Sequence, residues 1–179
     1  ERNCSQTEWF IAGKAAVNRS KETVVTTLSL HKYKEENDMI GEKVTLRVRM
    51  SAGEAHYAGD LVNGSHILDF WGDVGTELAI RLFGDESLFL GYENVRFTAP
   101  VYAGDFMEYT GWIEKVGNTS LTCKFEAYKY ITLPRDPALA DSAADVLPEP
   151  VLCGEAVGTL VVKKPFQRID HADPKFQVR

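Results

Sequence analysis

Residues 56–84 read HYAGDLVNGSHILDFWGDVGTELAIRLFG, and the fold turns on how this stretch is read. From Ser65 onward, Ile67, Trp71, Val74, Leu78 and Leu82 succeed one another at spacings of four, three, four and four. That is the apolar stripe of an α-helix. Its flanks hold Leu68, Phe70, Gly72, Gly75, Ala79 and Ile80, so the helix is expected to be wrapped by other structure on nearly every side. Asp69, Asp73 and Glu77, at i, i+4 and i+8, form a row along its far face. In apolar surroundings Asp73 and Glu77 are expected to be buried, whereas Asp69 is expected to face solvent, and a buried carboxylate is costly unless something pairs with it. The row is for that reason a candidate site.

The start of the helix carries a second signal. Asn63-Gly64-Ser65 supplies capping-type residues and a glycine at the turn into the helix, leaving the first backbone N–H groups pointing outward at the positive end of the dipole. Such an end suits negative charge, on a phosphate or on a developing oxyanion. His56 stands just upstream, in His56-Tyr57-Ala58-Gly59. Imidazole is the side chain best suited to moving protons near neutral pH. A loop histidine is as readily a surface residue, and what singles out His56 is its place beside the glycine-rich turn.

Composition narrows the classes. The 179 residues suffice for one domain with a proper core. Hydrophobic residues make up 44% and charged ones 26%, the balance of a soluble globular protein. A net charge of −6 argues against a nucleic-acid partner, whose phosphates ask for clustered Lys and Arg. No apolar run nears the roughly 20 residues that span a bilayer, and no leader pattern opens the chain. No membrane partner and a cytoplasmic location are therefore expected. Cys4, Cys123 and Cys153 are widely separated, with neither a CxxC pair nor a zinc-type cluster, and read as free thiols. No metal is expected.

Around the helix the chain reads as β structure. In Lys43 to Met50, Val44, Leu46, Val48 and Met50 alternate with Thr45, Arg47 and Arg49, a strand with one core face. After Gly84-Asp85-Glu86 come strands at about Phe89 to Thr98, Asp105 to Val116 and Ser120 to Thr132. Their short connections, Pro100 to Gly104 and Gly117-Asn118, predict an antiparallel meander. Pro134 to Pro150 is expected to be an exposed excursion with at most one helical turn, and Val151 to Lys163 a last strand. Upstream, Glu8 to Val17 reads as a short helix, Thr23 to Leu30 as a strand and His31 to Asp38 as a linker. One strand, one apolar helix and four strands suit an α+β architecture, a single antiparallel sheet wrapped around a buried helix. Such a sheet leaves edges open, so a homodimer or higher homo-oligomer is expected.

This order of elements, with His56, Gly59 and Asn63-Gly64 in their places, resembles the hotdog fold of acyl-CoA thioesterases and dehydratases. More closely, KVTLRVRMSAGEAHYAGDLVNG, FWGDVGTELAIRL, APVYAGD, GNTS, SAADVL and GTLVVKK resemble the small hotdog ammonia lyases that act on β-alanyl-CoA or 3-aminobutyryl-CoA in amino-acid fermentation. The resemblance implies a hotdog domain over residues 42–168, with residues 1–41 an extension of unknown role and 169–179 a polar tail. Many hotdog thioesterases carry an Asp or Glu on the central helix; the count from His56 lands on Trp71, with Asp69 and Asp73 the nearest acids.

For a lyase of this kind the resemblance implies an acyl-CoA substrate, with no separate cofactor because coenzyme A enters as part of that substrate. Eliminating ammonia needs an oxyanion site for the thioester oxygen, a base for the α proton and an anion for the β ammonium. The N–H groups of Asn63 and Gly64 suit the first, His56 the second, and Asp73 or Glu77, from the same or the partner subunit, the third. The last two roles are interchangeable at this stage, since a carboxylate raised in pKa by apolar surroundings serves equally as the base. Gly117-Asn118-Thr119-Ser120 resembles the turn that hotdog proteins lay against pantetheine or phosphate, and is equally a plain hairpin turn. Lys163, Lys164 and Arg168 form a small basic group suited to nucleotide phosphates. Two further classes stay open: a hotdog thioesterase or enoyl-CoA hydratase, and a silent protein that binds acyl-CoA.

Overall fold

The computed structural model describes residues 39–169. The elements expected at Glu8 to Val17, Thr23 to Leu30 and His31 to Asp38 lie outside the described residues, as do the last ten. In chain order the described elements are β1 (Lys43–Arg49), β2 (Ala55–Tyr57), β3 (Leu61–Val62), helix α1 (Ser65–Phe83), β4 (Leu88–Phe97), β5 (Phe106–Val116), β6 (Ser120–Thr132) and β7 (Asp145–Val161). All neighbours in the five-stranded sheet, ordered β1-β5-β6-β7-β4, run antiparallel, and β2 and β3 form a separate small ladder.

The helix forms where its period predicts, and its stripe of Ile67, Trp71, Val74, Leu78 and Leu82 is buried. It packs on the inward residues of the sheet, among them Met107, Tyr109 and Ile113 of β5, Leu121, Cys123 and Phe125 of β6, and Ala156 and Leu160 of β7. Their alternation along each strand follows the two-residue period of the pleat. The helix approaches closely because the sheet is thinned beneath it. A Cβ on Gly111 would stand 2.7 Å from Val74 Cγ1, and one on Gly154 would stand 3.2 Å from the Trp71 ring. The helix ends at Gly84, whose φ of 71° is left-handed and whose N–H donates to Ile80 O at 2.8 Å, the usual glycine stop.

Three expectations need correction. The connection at residues 98–105 does not close a hairpin: β4 pairs with β7 at one edge, and β5 lies three strands away. A short connection suffices for this crossing, since eight extended residues reach about 25 Å against about 14 Å for three strand spacings. The meander is confined to β5, β6 and β7. Next, β7 starts at Asp145 rather than Val151, within the stretch expected to be an excursion, and its first residues pair Val146 with Ile131 and Asp145 with Thr132. The β-branched Val146 supports extended structure despite the flanking prolines. Finally, the helix is not wrapped on every side. Asp69, Asp73, Glu77 and Ile80 are exposed in the single chain, because the sheet covers one face of α1 and leaves the other open. Among the described residues no helix is long and apolar enough to cross a membrane.

Candidate active site

The segment leading into α1 is built from a strained turn. In the β2 and β3 ladder Ala55 faces Val62 and Tyr57 faces Leu61. The chain reverses between them through Gly59 (φ 73°) and Asp60 (φ 61°). A non-glycine residue in the left-handed region costs about 1–2 kcal/mol, so something must hold it. The loop before β5 does so: Ala103 N–H donates to Asp60 O at 2.9 Å, Val62 N–H donates to Val101 O at 2.9 Å, and Leu61 bridges Tyr102.

At the start of the helix Asn63 works twice. Its Oδ1 accepts the Ser65 N–H at 3.1 Å and its carbonyl accepts the His66 N–H at 3.0 Å, while Gly64 O accepts the Ile67 N–H at 3.1 Å. The amides of Ser65, His66 and Ile67 are thus taken up locally; those of Asn63 and Gly64 do not take part in these turns. A Cβ on Gly64 would stand 2.9 Å from the tip of the exposed Phe97 ring, which lies against this turn. His56, exposed on β2 and edge-on to Tyr57 at 5.5 Å, lies about 5 Å by strand spacing from β3, which runs directly into Asn63. The backbone of His56 therefore stands on the strand beside the one that leads into Asn63 and Gly64, at the amino end of α1, its mouth. His66 joins them from the first helical turn, its Nδ1 3.5 Å from Asp69 Oδ2. Sequence reasoning passed over His66, although it stood in the stretch that decided the fold.

The acid row behaves differently along its length. Asp69 faces His66, and Asp73 makes no ion pair among the described residues. Glu77 is engaged, accepting Arg81 Nε at 2.9 Å. With about 1.5 Å of rise per residue, Asp73 lies about 13 Å along the axis from Gly64, and Glu77 about 20 Å. Beneath the row, Tyr92 donates its hydroxyl to Leu68 O at 2.8 Å. Burial first, then the charges of Asp69 and Asp73, push its phenol above the ordinary range. Trp71 is fully buried and donates Nε1–H to Glu126 O at 3.2 Å. Burial likewise raises the free thiols, Cys123 to about 12 and Cys153 in the same direction.

The residues assigned to coenzyme A gather at the opposite end of α1. Gly117 to Ser120 make the turn from β5 to β6, closed by Gly117 N–H to Ser120 O at 2.7 Å. Gln167 ties this turn to the tail, donating to Asn118 O at 3.1 Å and to Val162 O at 3.0 Å, and Thr119 O accepts the Val162 N–H at 2.8 Å. Lys164 donates to Gln167 Oε1 at 3.0 Å. Lys163 and Arg168 line a cavity of about 670 Å³ with Ile80, Ser87, Leu88 and Phe166 among its walls. Arg168 also caps the helix, donating Nε–H to Gly84 O at 2.9 Å. This end lies about 28 Å from the mouth along the helix axis, so within one chain the two groups do not form one site.

No family model matches the chain. Over 126 residues it is 51% identical to the 3-aminobutyryl-CoA ammonia lyase of Acetoanaerobium sticklandii, a match covering 70% of this chain and 98% of that protein. The solved structure of the β-alanyl-CoA:ammonia lyase from Clostridium propionicum superposes with a TM-score of 0.71 at 53% identity, over 78% of this chain and 96% of that one. The hexameric hotdog-fold thioesterase of Campylobacter jejuni has a TM-score of 0.56 over 73% of this chain and 90% of that one; at 18% identity this likeness concerns the fold alone.

Proposed function

The chain belongs to the hotdog-fold ammonia lyases of short β-aminoacyl-CoA thioesters, and from that premise we propose how its residues divide the work. It is a carbon–nitrogen lyase, removing ammonia from the β carbon of a β-aminoacyl-CoA to give an enoyl-CoA, or adding it in reverse. The observation that carries this is the 51% identity over 98% of a named ammonia lyase. Trp71 adds support against the hydrolase reading, since the position counted as the thioesterase acid is a fully buried core residue.

In our reading the amides of Asn63 and Gly64 receive the thioester oxygen as the α carbon gains negative character. His56 takes the α proton, and Asp73 holds the ammonium that leaves. The axial rise supports a site shared between subunits. In a β-aminoacyl thioester the carbonyl oxygen and the β nitrogen lie within about 5 Å of each other by covalent geometry. Asp73 lies about 13 Å along its own helix from Gly64, so the Asp73 that meets a given substrate belongs to a second copy. Glu77, already paired with Arg81, is the lesser choice.

The sheet has an edge suited to that second copy. Strand β4 has β7 on one side only, and Leu88 and Leu90 are each 73% exposed. Antiparallel pairing of two β4 edges would set two α1 helices side by side in opposite directions. The carboxyl end of one helix, with Gly117 to Ser120, Lys163 and Lys164, then comes towards the mouth of the other, where coenzyme A as part of the substrate would lie.

Purified protein mixed with crotonyl-CoA or acryloyl-CoA and ammonium tests the reaction. Loss of enoyl-thioester absorbance that requires ammonium and releases no thiol is the expected result; thiol release would move the protein to the thioesterases, and no change would sink the lyase reading for these substrates. His56→Ala should lower kcat by about 10²–10⁴-fold, the usual share of a general base. Mixing unfolded and refolded His56→Ala and Asp73→Asn subunits should return activity that neither variant has alone. Failure of that complementation would count against the shared site.

A further inference from the structure

We propose that the buried pair of Asp105 and Lys129 is a positioning device that holds the mouth of α1 in place. The inference rests on the reading that Asn63 and Gly64 receive the thioester oxygen. Asp105 is 0% exposed and Lys129 8%. The Asp105 carboxylate accepts the Thr132 hydroxyl at 2.7 Å, the Tyr102 N–H at 2.9 Å and Lys129 Nζ at 3.1 Å. The same Lys129 Nζ donates to Pro100 O at 2.9 Å. Lys129 of β6 therefore grips both ends of the loop from Pro100 to Asp105. Arg135 closes over it, its guanidinium 4.0 Å from the centre of the Tyr102 ring.

The outward backbone of that loop makes the ladder to Asp60, Leu61 and Val62, the residues directly before Asn63 and Gly64. Those same bonds hold the left-handed Asp60. A continuous path of short bonds thus runs from the ion pair through the loop to the proposed donors, with His56 on the strand beside them. Stability alone is a weak reason for such a pair, because a buried ion pair replaced by neutral groups of similar shape often leaves a protein as stable as before. Geometry is the better reason. Transition-state donors act through placement, and a misplacement of about 1 Å costs about 10²-fold in rate.

The test uses the full chain carrying Asp105→Asn with Lys129→Met, which removes both charges together and leaves no buried charge unpaired. Two measurements are made: kcat and KM for crotonyl-CoA with ammonium, and backbone amide exchange by mass spectrometry. The expected result is a folded variant with kcat lowered about 10–100-fold and KM little changed. Its exchange should be faster in peptides covering residues 56–66 and 98–105 but not in β5, β6 or β7. A folded variant with wild-type kcat and wild-type exchange at 56–66 overturns the proposal, as does faster exchange spread evenly over the sheet. If the double variant does not fold, Thr132→Val, which removes one bond to Asp105 and keeps both charges, takes its place with the same readouts. The exchange measurement needs no turnover, so wild-type protein that lacks ammonia addition would fail the lyase reading without deciding the positioning role.

Discussion

At the scale of single residues, two glycines of the same type make opposite demands. Gly111 lies under the helix, where an added methyl would stand 2.7 Å from Val74 and 2.8 Å from Phe125. Gly111→Ala should destabilise the fold by about 1–3 kcal/mol, seen as a lower melting temperature. A methyl on Gly72, in the middle of α1, would meet nothing within 4 Å. In the isolated chain Gly72→Ala should therefore stabilise the helix by about 0.5–1 kcal/mol. If activity falls while melting rises, the open space over Gly72 is used by something outside the chain. The thiols give a further reading. Burial lifts Cys123 from the ordinary 9.0 to about 12, so the folded state holds this proton more tightly than the unfolded one. Stability from this group is whole below about pH 9 and is lost as pH rises through about 12. Thermal melts should be flat from pH 7 to 8.5 and fall above 9. At pH 8 a thiol reagent should react with Cys123 and Cys153 only after denaturation, because the thiolate is the reactive form.

At the scale of elements, local periodicity was enough wherever the cause was local. The spacing of Ile67 to Leu82 gave the helix, the alternation of Val44, Leu46 and Val48 gave β1, and Gly84 gave the stop, each through a neighbour a few residues away. Strand order was not legible, because the position of β4 beside β7 depends on contacts about sixty residues apart in the chain. The exposure of Asp73 and Glu77 was misread for a related reason, whereas Asp69 faces solvent as expected. An apolar flank such as Leu68, Phe70 and Ile80 tells that a surface is to be covered, not whether the same chain covers it. Of the proposed site, His56 and Asn63-Gly64 could be nominated from type and spacing, whereas Asp105 and Lys129 are paired only by the fold. Arg168 shows a role that sequence could not supply, since its guanidinium donates to Gly84 O at the end of α1. Arg168→Ala should cost about 0.3–1 kcal/mol through the loss of a cation at a helix carboxyl end. A rise in KM for acyl-CoA beyond that small loss would show that the side chain also meets phosphate.

At the scale of the whole molecule, the open β4 edge is the surface on which the proposed shared site depends. Leu88 and Leu90 are 73% exposed on a strand with one free side, a surface that soluble proteins seldom leave to water. Leu88→Lys with Leu90→Lys should give a smaller species by sedimentation that retains its helix signal in circular dichroism and lacks lyase activity. Wild-type oligomer size with full activity would place the subunit contact elsewhere. An open edge also makes output depend on crowding in time. If each site is shared across β4, halving the enzyme in an assay near the dissociation constant should more than halve the rate. A freshly diluted sample should start fast and slow as subunits part, and a freshly concentrated one should start with a lag.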